Sequence, residues 1–223
     1  MLPPVLTELT QYFAPLSTFQ REEGGALTLL TPGVNVLGLN ATYLPEVVPN
    51  LRSALAWHEA HGLPPLVASL SPVAGAQEVA ALTVGTFVPT GVQDSGIVVE
   101  QLSRLHLQNW ADVLTAAHGT PEWATPLARH LAARLEGQRD YLPLLAYNPA
   151  GEAVGALLWH GAQGKGAAHL WGALNVAAAL ALLTTAAELG PQLRVSLPST
   201  PLLNGKMRSS DSSTVKFNLL NES

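Results

Sequence analysis

The chain contains no cysteine, few charged residues and little net charge. With no cysteine among its 223 residues it can form neither disulfide bonds nor thiolate metal sites. Charged residues make up 12% of the chain and the formal net charge is -5. This balance offers no electrostatic attraction for a polyanion. We therefore expect no nucleic-acid partner.

The N-terminal sequence MLPPVLTELT lacks the basic segment and the apolar segment of a secretory signal peptide. Together with the absence of cysteine, this predicts a cytoplasmic protein. Hydrophobic residues make up 48% of the chain, which is enough to bury one large core or two small ones.

The most apolar stretch, HLWGALNVAAALALLTTAAELG over residues 169–190, carries no formal charge before Glu188. A transmembrane helix needs about 20 consistently apolar residues, whereas this stretch is mainly alanine and stops at Gly190 and Pro191. No cluster of Lys or Arg flanks it to anchor it in a bilayer. It is expected to be a buried amphipathic helix, and no membrane partner is predicted.

The N-terminal part of the chain predicts alternating strands and helices in the order β-α-β-α-β. For the second helix, Ser71 is a suitable N-cap and Pro72 occupies the first helical position. The predicted elements are a strand over 34–39, a helix over 45–62 that ends at Gly62, a strand over 66–70, a helix over 71–85 and a strand over 96–102.

The C-terminal part predicts the order α-α-β-β-β-α-β-β. Two helices over 105–119 and 121–137 precede a three-stranded antiparallel meander, YLPLLAYNPAGEAVGALLWHGAQGKGAAHLWGAL. Its turn residues lie at 148–151 and 163–166. The apolar helix follows, then strands over 193–197 and 214–220.

This segment order and the hairpin YLPLLAYNPAGEAVGALLWHG resemble the GNAT superfamily, the Gcn5-related N-acetyltransferases. The resemblance covers about residues 97–220. It implies an α/β (α+β) fold with a mixed, mostly antiparallel twisted sheet flanked by helices. Residues 97–223 would form the GNAT-like domain, and residues 1–96 an N-terminal α/β part that more weakly resembles a degenerate half GNAT unit. The implied activity is acyl-CoA-dependent N-acetylation of an amine on a small molecule or peptide.

In that superfamily, a loop after the third strand of such a meander holds the pyrophosphate of acetyl-CoA through backbone amides at a helix start. Small residues suit this role because phosphate oxygens must approach the backbone closely. Matching ALALL to the family's GxALL places Leu174, Ala177 and Ala179 in the loop motif. The resemblance implies that acetyl-CoA contacts the strand end and the loop: Leu170, Trp171, Gly172, Leu174, Asn175, Val176, Ala177, Ala178 and Ala179.

Catalysis in the superfamily uses a general base and often a tyrosine acid near the C-terminus, but the last tyrosine here is Tyr147. A substitute must exchange a proton near neutral pH, and His169 has the right side chain at the strand in question. His160, Glu152 and Ser199 are weaker candidates. The alternative is a catalytically inactive GNAT-like binding or interaction module, and a homodimer is compatible with either function.

The segment WHEAHG resembles the zinc signature HExxH but places His58 and His61 three residues apart instead of four. We interpret it as a solvated helix face near a helix C-terminus, and no metal ligands are predicted.

Overall fold

A computed structural model describes residues 1–48, 50–89, 96–162, 164–190, 192–198 and 207–220. Its α-helices are α1 (Pro4–Phe13), α2 (Arg52–Ala60), α3 (Leu107–Ala117), α4 (Ala124–Arg134) and α5 (Val176–Glu188). Its strands are β1 (Phe19–Glu23), β2 (Ala26–Leu30), β3 (Thr42–Tyr43), β4 (Leu66–Ser69), β5 (Ala76–Thr86), β6 (Val98–Gln101), β7 (Tyr141–Tyr147), β8 (Ala153–Ala162), β9 (Lys165–Ala173), β10 (Arg194–Pro198) and β11 (Ser213–Leu220).

The chain divides into two units: a first unit of Met1–Val84 with Ser213–Ser223, and a second unit of Gly85–Ser212. The C-terminal strand β11 belongs to the first unit, where it pairs antiparallel with both β4 and β5. The division at residue 96 expected from the sequence stays a prediction.

The first unit contains the strand order β1-β2-β3-β4-β11-β5. Among the described strand pairs of this unit only β3 and β4 are parallel, and α2 connects them. Apolar residues of α1 recur at helical spacing and are buried. Phe13 packs so closely on Gly38 that a Cβ atom at Gly38 would overlap the Phe13 ring. This glycine is therefore required by packing.

The second unit contains the strand order β10-β9-β8-β7-β6. In the part of this unit that the structure describes, only β9 and β10 are parallel, and α5 connects them. Small residues let α5 approach the sheet, since a Cβ atom at Gly155 in β8 would lie 2.7 Å from Leu182 Cδ1. The buried face of α5 consists of Ala178, Ala179, Leu182, Leu183 and Ala186.

The fold class predicted from the sequence is confirmed. Each unit places helices against a mostly antiparallel sheet, and each contains three antiparallel strands, a helix and a parallel strand in that order. These elements are β1-β2-β3-α2-β4 in the first unit and β7-β8-β9-α5-β10 in the second. In the described part of the chain no helix has the length and apolar character needed to cross a membrane.

Several predicted elements of the second unit are confirmed: the helices α3 and α4, the meander β7-β8-β9, the helix α5 and the strand β10. The turn at 148–151 is also present, with Gly151 at φ 79°. The predicted turn at 163–166 includes residue 163, which lies outside the described residues.

Two predictions for the first half of the chain are wrong, and a third is confirmed only in part. Residues 71–85 contain most of strand β5, not a helix, because β5 pairs with β11 over almost its whole length. Ser71 caps no helix, and its carbonyl oxygen accepts a hydrogen bond from Ser69 Oγ. The predicted strand over 34–39 is irregular and ends in a short 3-10 turn, Leu37–Leu39. The helix predicted over 45–62 is limited to α2.

Candidate functional site

Strands β9 and β10 pair in parallel over only two residues each. The pairs join Ala167 to Arg194 and Ala168 to Val195. Among the described residues the ladder goes no further. We call the place where the two strands stop pairing, between residues 169–173 and 196–198 and next to the start of α5, the fork.

Two side chains of β9 bridge the fork at Ser196. His169 Nδ1 lies 2.8 Å from Ser196 Oγ, and Trp171 Nε1 donates a hydrogen bond of 2.8 Å to the Ser196 carbonyl oxygen. Only 7% of His169 and 8% of Trp171 is exposed. These side-chain contacts hold β9 and β10 together where the backbone ladder has ended.

The start of α5, which follows the fork, is open to solvent. Leu174, Asn175, Val176 and Ala177 are all exposed. The Asn175 side chain caps the helix, because its Oδ1 accepts a hydrogen bond of 2.8 Å from the Ala178 amide. The Ala179 amide donates to the Asn175 carbonyl oxygen.

These hydrogen bonds leave two amides in the first turn of α5, those of Val176 and Ala177, to be accounted for. Neither the Val176 nor the Ala177 N–H donates to another group in the described part of the chain. Amides at this position point out of the helix along its axis and carry its partial positive charge. The arrangement can therefore donate two hydrogen bonds to an anion that reaches the helix start.

The residues predicted to contact the cofactor fall into two groups. Exposed residues at the helix start, Leu174 to Ala177, can touch a ligand. Ala178 and Ala179 are in the core and their amides are already hydrogen-bonded. Leu170 is buried, and a Cβ atom at Gly172 would lie 3.0 Å from Ala117 Cβ in α3. Gly172 therefore permits helix packing.

The weaker base candidates lie elsewhere. His160 stacks on Tyr141 with ring centroids 4.3 Å apart, and burial lowers the pKa of His160, opposed by the charge of Asp140. Glu152 accepts a hydrogen bond of 2.7 Å from Asn148 in the β7–β8 turn. Ser199 lies outside the described residues. Of the candidate bases that the structure describes, only His169 lies in the fork.

Two features of this site, the roles of Asn175 and Ser196, are not predicted from the sequence. Asn175 before an alanine run is a typical N-cap signal, and that signal could have shown that its side chain is occupied by the helix. The role of Ser196 had no local signal, because its contact with His169 joins residues 27 positions apart.

The predicted solvated face of WHEAHG is wrong for His58. Only 1% of this residue is exposed, and its Nε2 lies 3.1 Å from Thr42 Oγ1. His61 Nδ1 lies 2.8 Å from the Trp57 carbonyl oxygen. The described residues contain no group of three or more His, Asp or Glu side chains that could hold a metal ion.

The chain has the fold of the GNAT superfamily. A GCN5-related N-acetyltransferase from Kribbella flavida is similar over 100% of this chain and 98% of its own, with a TM-score of 0.60 and 15% identity. A GCN5-related N-acetyltransferase from Sphaerobacter thermophilus is similar over 80% of this chain and 71% of its own, with a TM-score of 0.52 and 15% identity.

A functionally unknown conserved protein from Staphylococcus epidermidis ATCC 12228 is similar over 90% of this chain and 93% of its own, with a TM-score of 0.61 and 10% identity. No protein-family model and no curated protein matches the sequence. Similarity at these identities establishes the fold, and the residues must support any function.

Proposed function

We propose that the chain is an acyl-CoA-dependent N-acetyltransferase that acts on an amine of a small molecule or peptide. The observation that carries this proposal is the exposed start of α5 in a GNAT fold, where the amides of Val176 and Ala177 have no other partner among the described residues. Such a helix start suits a phosphate group.

The residues at the helix start fit the diphosphate of acetyl-CoA through the backbone. Ala177 is small and exposed, so an anion can come close to its amide. The first turn of α5 is uncharged, which means that the helix dipole and two amides would supply the attraction. The exposed residues 174–177 and the backbone of residues 170–172 would hold the cofactor, which would supply an acetyl group activated as a thioester.

His169 is the proposed general base. An amine must lose a proton to form an amide, and His169 would accept it at Nε2 while its Nδ1–H donates to Ser196 Oγ. The contact between His169 Nδ1 and Ser196 Oγ, 2.8 Å, supports this orientation of the ring. Ser196 is then a positioning residue.

Calorimetric titration with acetyl-CoA and with CoA tests the cofactor site. We expect micromolar binding by the unaltered chain and a loss of at least about tenfold in Ala177→Glu, because a carboxylate at the helix start repels the diphosphate. Ala177→Gln is the matched control, similar in size but uncharged, and should bind within about threefold of the unaltered chain. A flat titration of the unaltered chain at millimolar CoA would refute the proposal.

The second candidate is a catalytically inactive GNAT-like binding module. It is favoured by the side chains of His169 and Trp171, which bridge the fork and are more than nine-tenths buried. Release of CoA from acetyl-CoA, measured with L-lysine and with a lysine-containing peptide, separates the two candidates. If the chain is an acetyltransferase, the unaltered protein should release CoA from acetyl-CoA, and His169→Asn should lose this activity while it still binds CoA. If the chain is a binding module, the unaltered protein should bind CoA but release none from acetyl-CoA.

A further inference from the structure

The first unit contains a cavity of about 230 Å³ beside the start of α2. It lies against the hairpin β1-β2 and strand β3, and no part of the acetyl-CoA proposal uses it. Its lining includes both charged and apolar side chains: Arg21, Glu23, Thr28, Thr42, Leu51 and Ala54.

The volume of the cavity limits the size of a ligand. At about 30 Å³ for each water molecule, it has room for roughly eight waters. Pockets for drug-sized ligands are larger, about 300–1,000 Å³. A compound the size of a single amino acid fits, and a whole coenzyme does not.

The wall formed by β1 carries one charge of each sign. Arg21 and Glu23 stand two residues apart, so their side chains share a face of the strand. Arg21 Nη2 lies 2.8 Å from Glu23 Oε2, and Ser53 bridges the same two atoms with hydrogen bonds of 2.8 Å. In the described residues, Nε and Nη1 of Arg21 and Oε1 of Glu23 make no hydrogen bond or ion pair. The pair can thus take both a carboxylate and an ammonium group.

The lining from β2 and β3 supplies neutral hydroxyl groups. Thr28 Oγ1 and Thr42 Oγ1 are 2.9 Å apart, and Thr42 Oγ1 is next to His58 Nε2. Burial lowers the pKa of His58 to about 4, so this group of residues is uncharged at neutral pH. It adds hydrogen-bonding capacity without disturbing the charge balance of Arg21 and Glu23.

The start of α2 adds a positive end and an apolar surface. Leu51, the N-cap residue, provides no side-chain hydrogen bond, and Asn50 Oδ1 accepts one from the Arg52 amide only, so the first-turn amides that follow Arg52 keep their partial positive charge. Leu51 and Ala54 line the cavity here. A carboxylate is favoured near the helix start, and an aliphatic side chain can lie against Leu51 and Ala54.

We propose that this cavity binds a small zwitterion, an α-amino acid with an aliphatic side chain. Its carboxylate pairs with Arg21 near the start of α2, and its ammonium group pairs with Glu23. This site lies entirely within the first unit and does not depend on the acetyltransferase proposal.

Titration of the full chain with three isosteric probes tests the charge requirement. L-leucine has both charged groups, 4-methylpentanoate lacks the ammonium group and 3-methylbutylamine lacks the carboxylate. We expect L-leucine to bind with a dissociation constant below about 1 mM, at least tenfold more tightly than either of the others. The absence of saturation by L-leucine at about 10 mM, or equal binding of all three probes, would overturn the proposal.

Variants in the cavity test its location. Arg21→Gln and Glu23→Gln should each weaken L-leucine binding by at least about tenfold, while Glu78→Gln should not change it. Glu78 makes an ion pair of similar exposure with Lys216 in the same unit, 2.9 Å long, and does not line the cavity. Equal binding by all three variants would place the ligand elsewhere.

A pair of variants on α2 separates filling of the cavity from a general effect on the helix. Ala54→Phe should abolish binding because the new ring occupies the cavity, whereas Ala56→Phe, at an exposed position of the same helix, should retain it. Retained binding in a folded Ala54→Phe variant contradicts the proposed site. If Ala54→Phe fails to fold, the charge variants decide.

Discussion

The two strand–helix–strand connections of this protein, β3-α2-β4 and β9-α5-β10, share a chain path but differ in chemistry. In each, the parallel strands pair over two residues in the described part of the chain. The start of α5 is capped by Asn175 and has no charged residue in its first turn. The start of α2 has no side-chain cap on its N-cap residue and lies beside a cavity with Arg21 and Glu23.

The same chain path thus presents different chemistry in the two units. At α5 the available donors are backbone amides, which suit a diphosphate. At α2 the cavity presents one charge of each sign, and these suit a small zwitterion. The same topology therefore supports two proposals with different ligands, and each can be tested without the other.

The two helices also differ in how many residues they bury. Helix α5 buries five apolar residues in its core face, whereas His58 is the one buried residue of α2. Leu182→Ala should therefore lower the free energy of unfolding by about 3 kcal/mol, through lost burial and a new cavity. The matched change on α2, half-buried Leu55→Ala, should cost about 1 kcal/mol.

Denaturant unfolding of both variants measures this contrast. Equal losses would mean that the two helices contribute similarly to their units. Part of the expected loss of unfolding free energy in Leu182→Ala comes from the cavity that the substitution leaves. The measured loss therefore also reports how far the surrounding side chains move to fill that cavity.

The buried histidine of α2 predicts a pH dependence that α5 lacks. Burial lowers the pKa of His58 to about 4, below its unfolded value of about 6.5. The unfolded chain then binds more protons than the folded chain between these values, so stability falls as the pH falls. Between pH 7 and pH 4.5 the loss from His58 should be about 2 kcal/mol.

His58→Gln isolates this contribution, because glutamine can keep a hydrogen bond to Thr42 but does not titrate. The difference in unfolding free energy between the unaltered chain and this variant should shrink by about 2 kcal/mol from pH 7 to pH 4.5. A difference that stays constant with pH would show that His58 is not held neutral by burial.

The smallest expected effect concerns the helix starts themselves. Asn175→Ala removes the hydrogen bond to the Ala178 amide and should cost about 1 kcal/mol of stability. Asn50→Ala should cost less, because Asn50 Oδ1 accepts from the amide only two residues on, at Arg52. Thermal unfolding of the two variants measures both losses of stability. A larger loss in Asn50→Ala would mean that Asn50 is the stronger cap of the two.

The sequence predicted the second unit better than the first. Turn residues at 148–151 and alternating apolar residues predict β7 and β8 from neighbouring positions alone. The alanines of strand β5 suit a helix, and its pairing partner β11 lies more than 120 residues further along the chain, so the local pattern predicts a helix where the chain forms a strand. Long-range pairing therefore overrode local propensity.

The candidate site was predictable only in part, for a similar reason. The open helix start at Ala177 follows from small, uncharged residues in sequence. The contact between His169 and Ser196 and the cavity beside Arg21 arise from residues that are distant in sequence. A pattern of spacing carries no information about such contacts.

The most direct test of the central claim is calorimetric titration of CoA into the unaltered chain, Ala177→Gln and Ala177→Glu at one salt concentration. If the start of α5 holds the diphosphate, the first two should bind at micromolar CoA and the third at least about tenfold more weakly. Equal binding by all three folded proteins, or no binding by the unaltered chain at millimolar CoA, would contradict the claim.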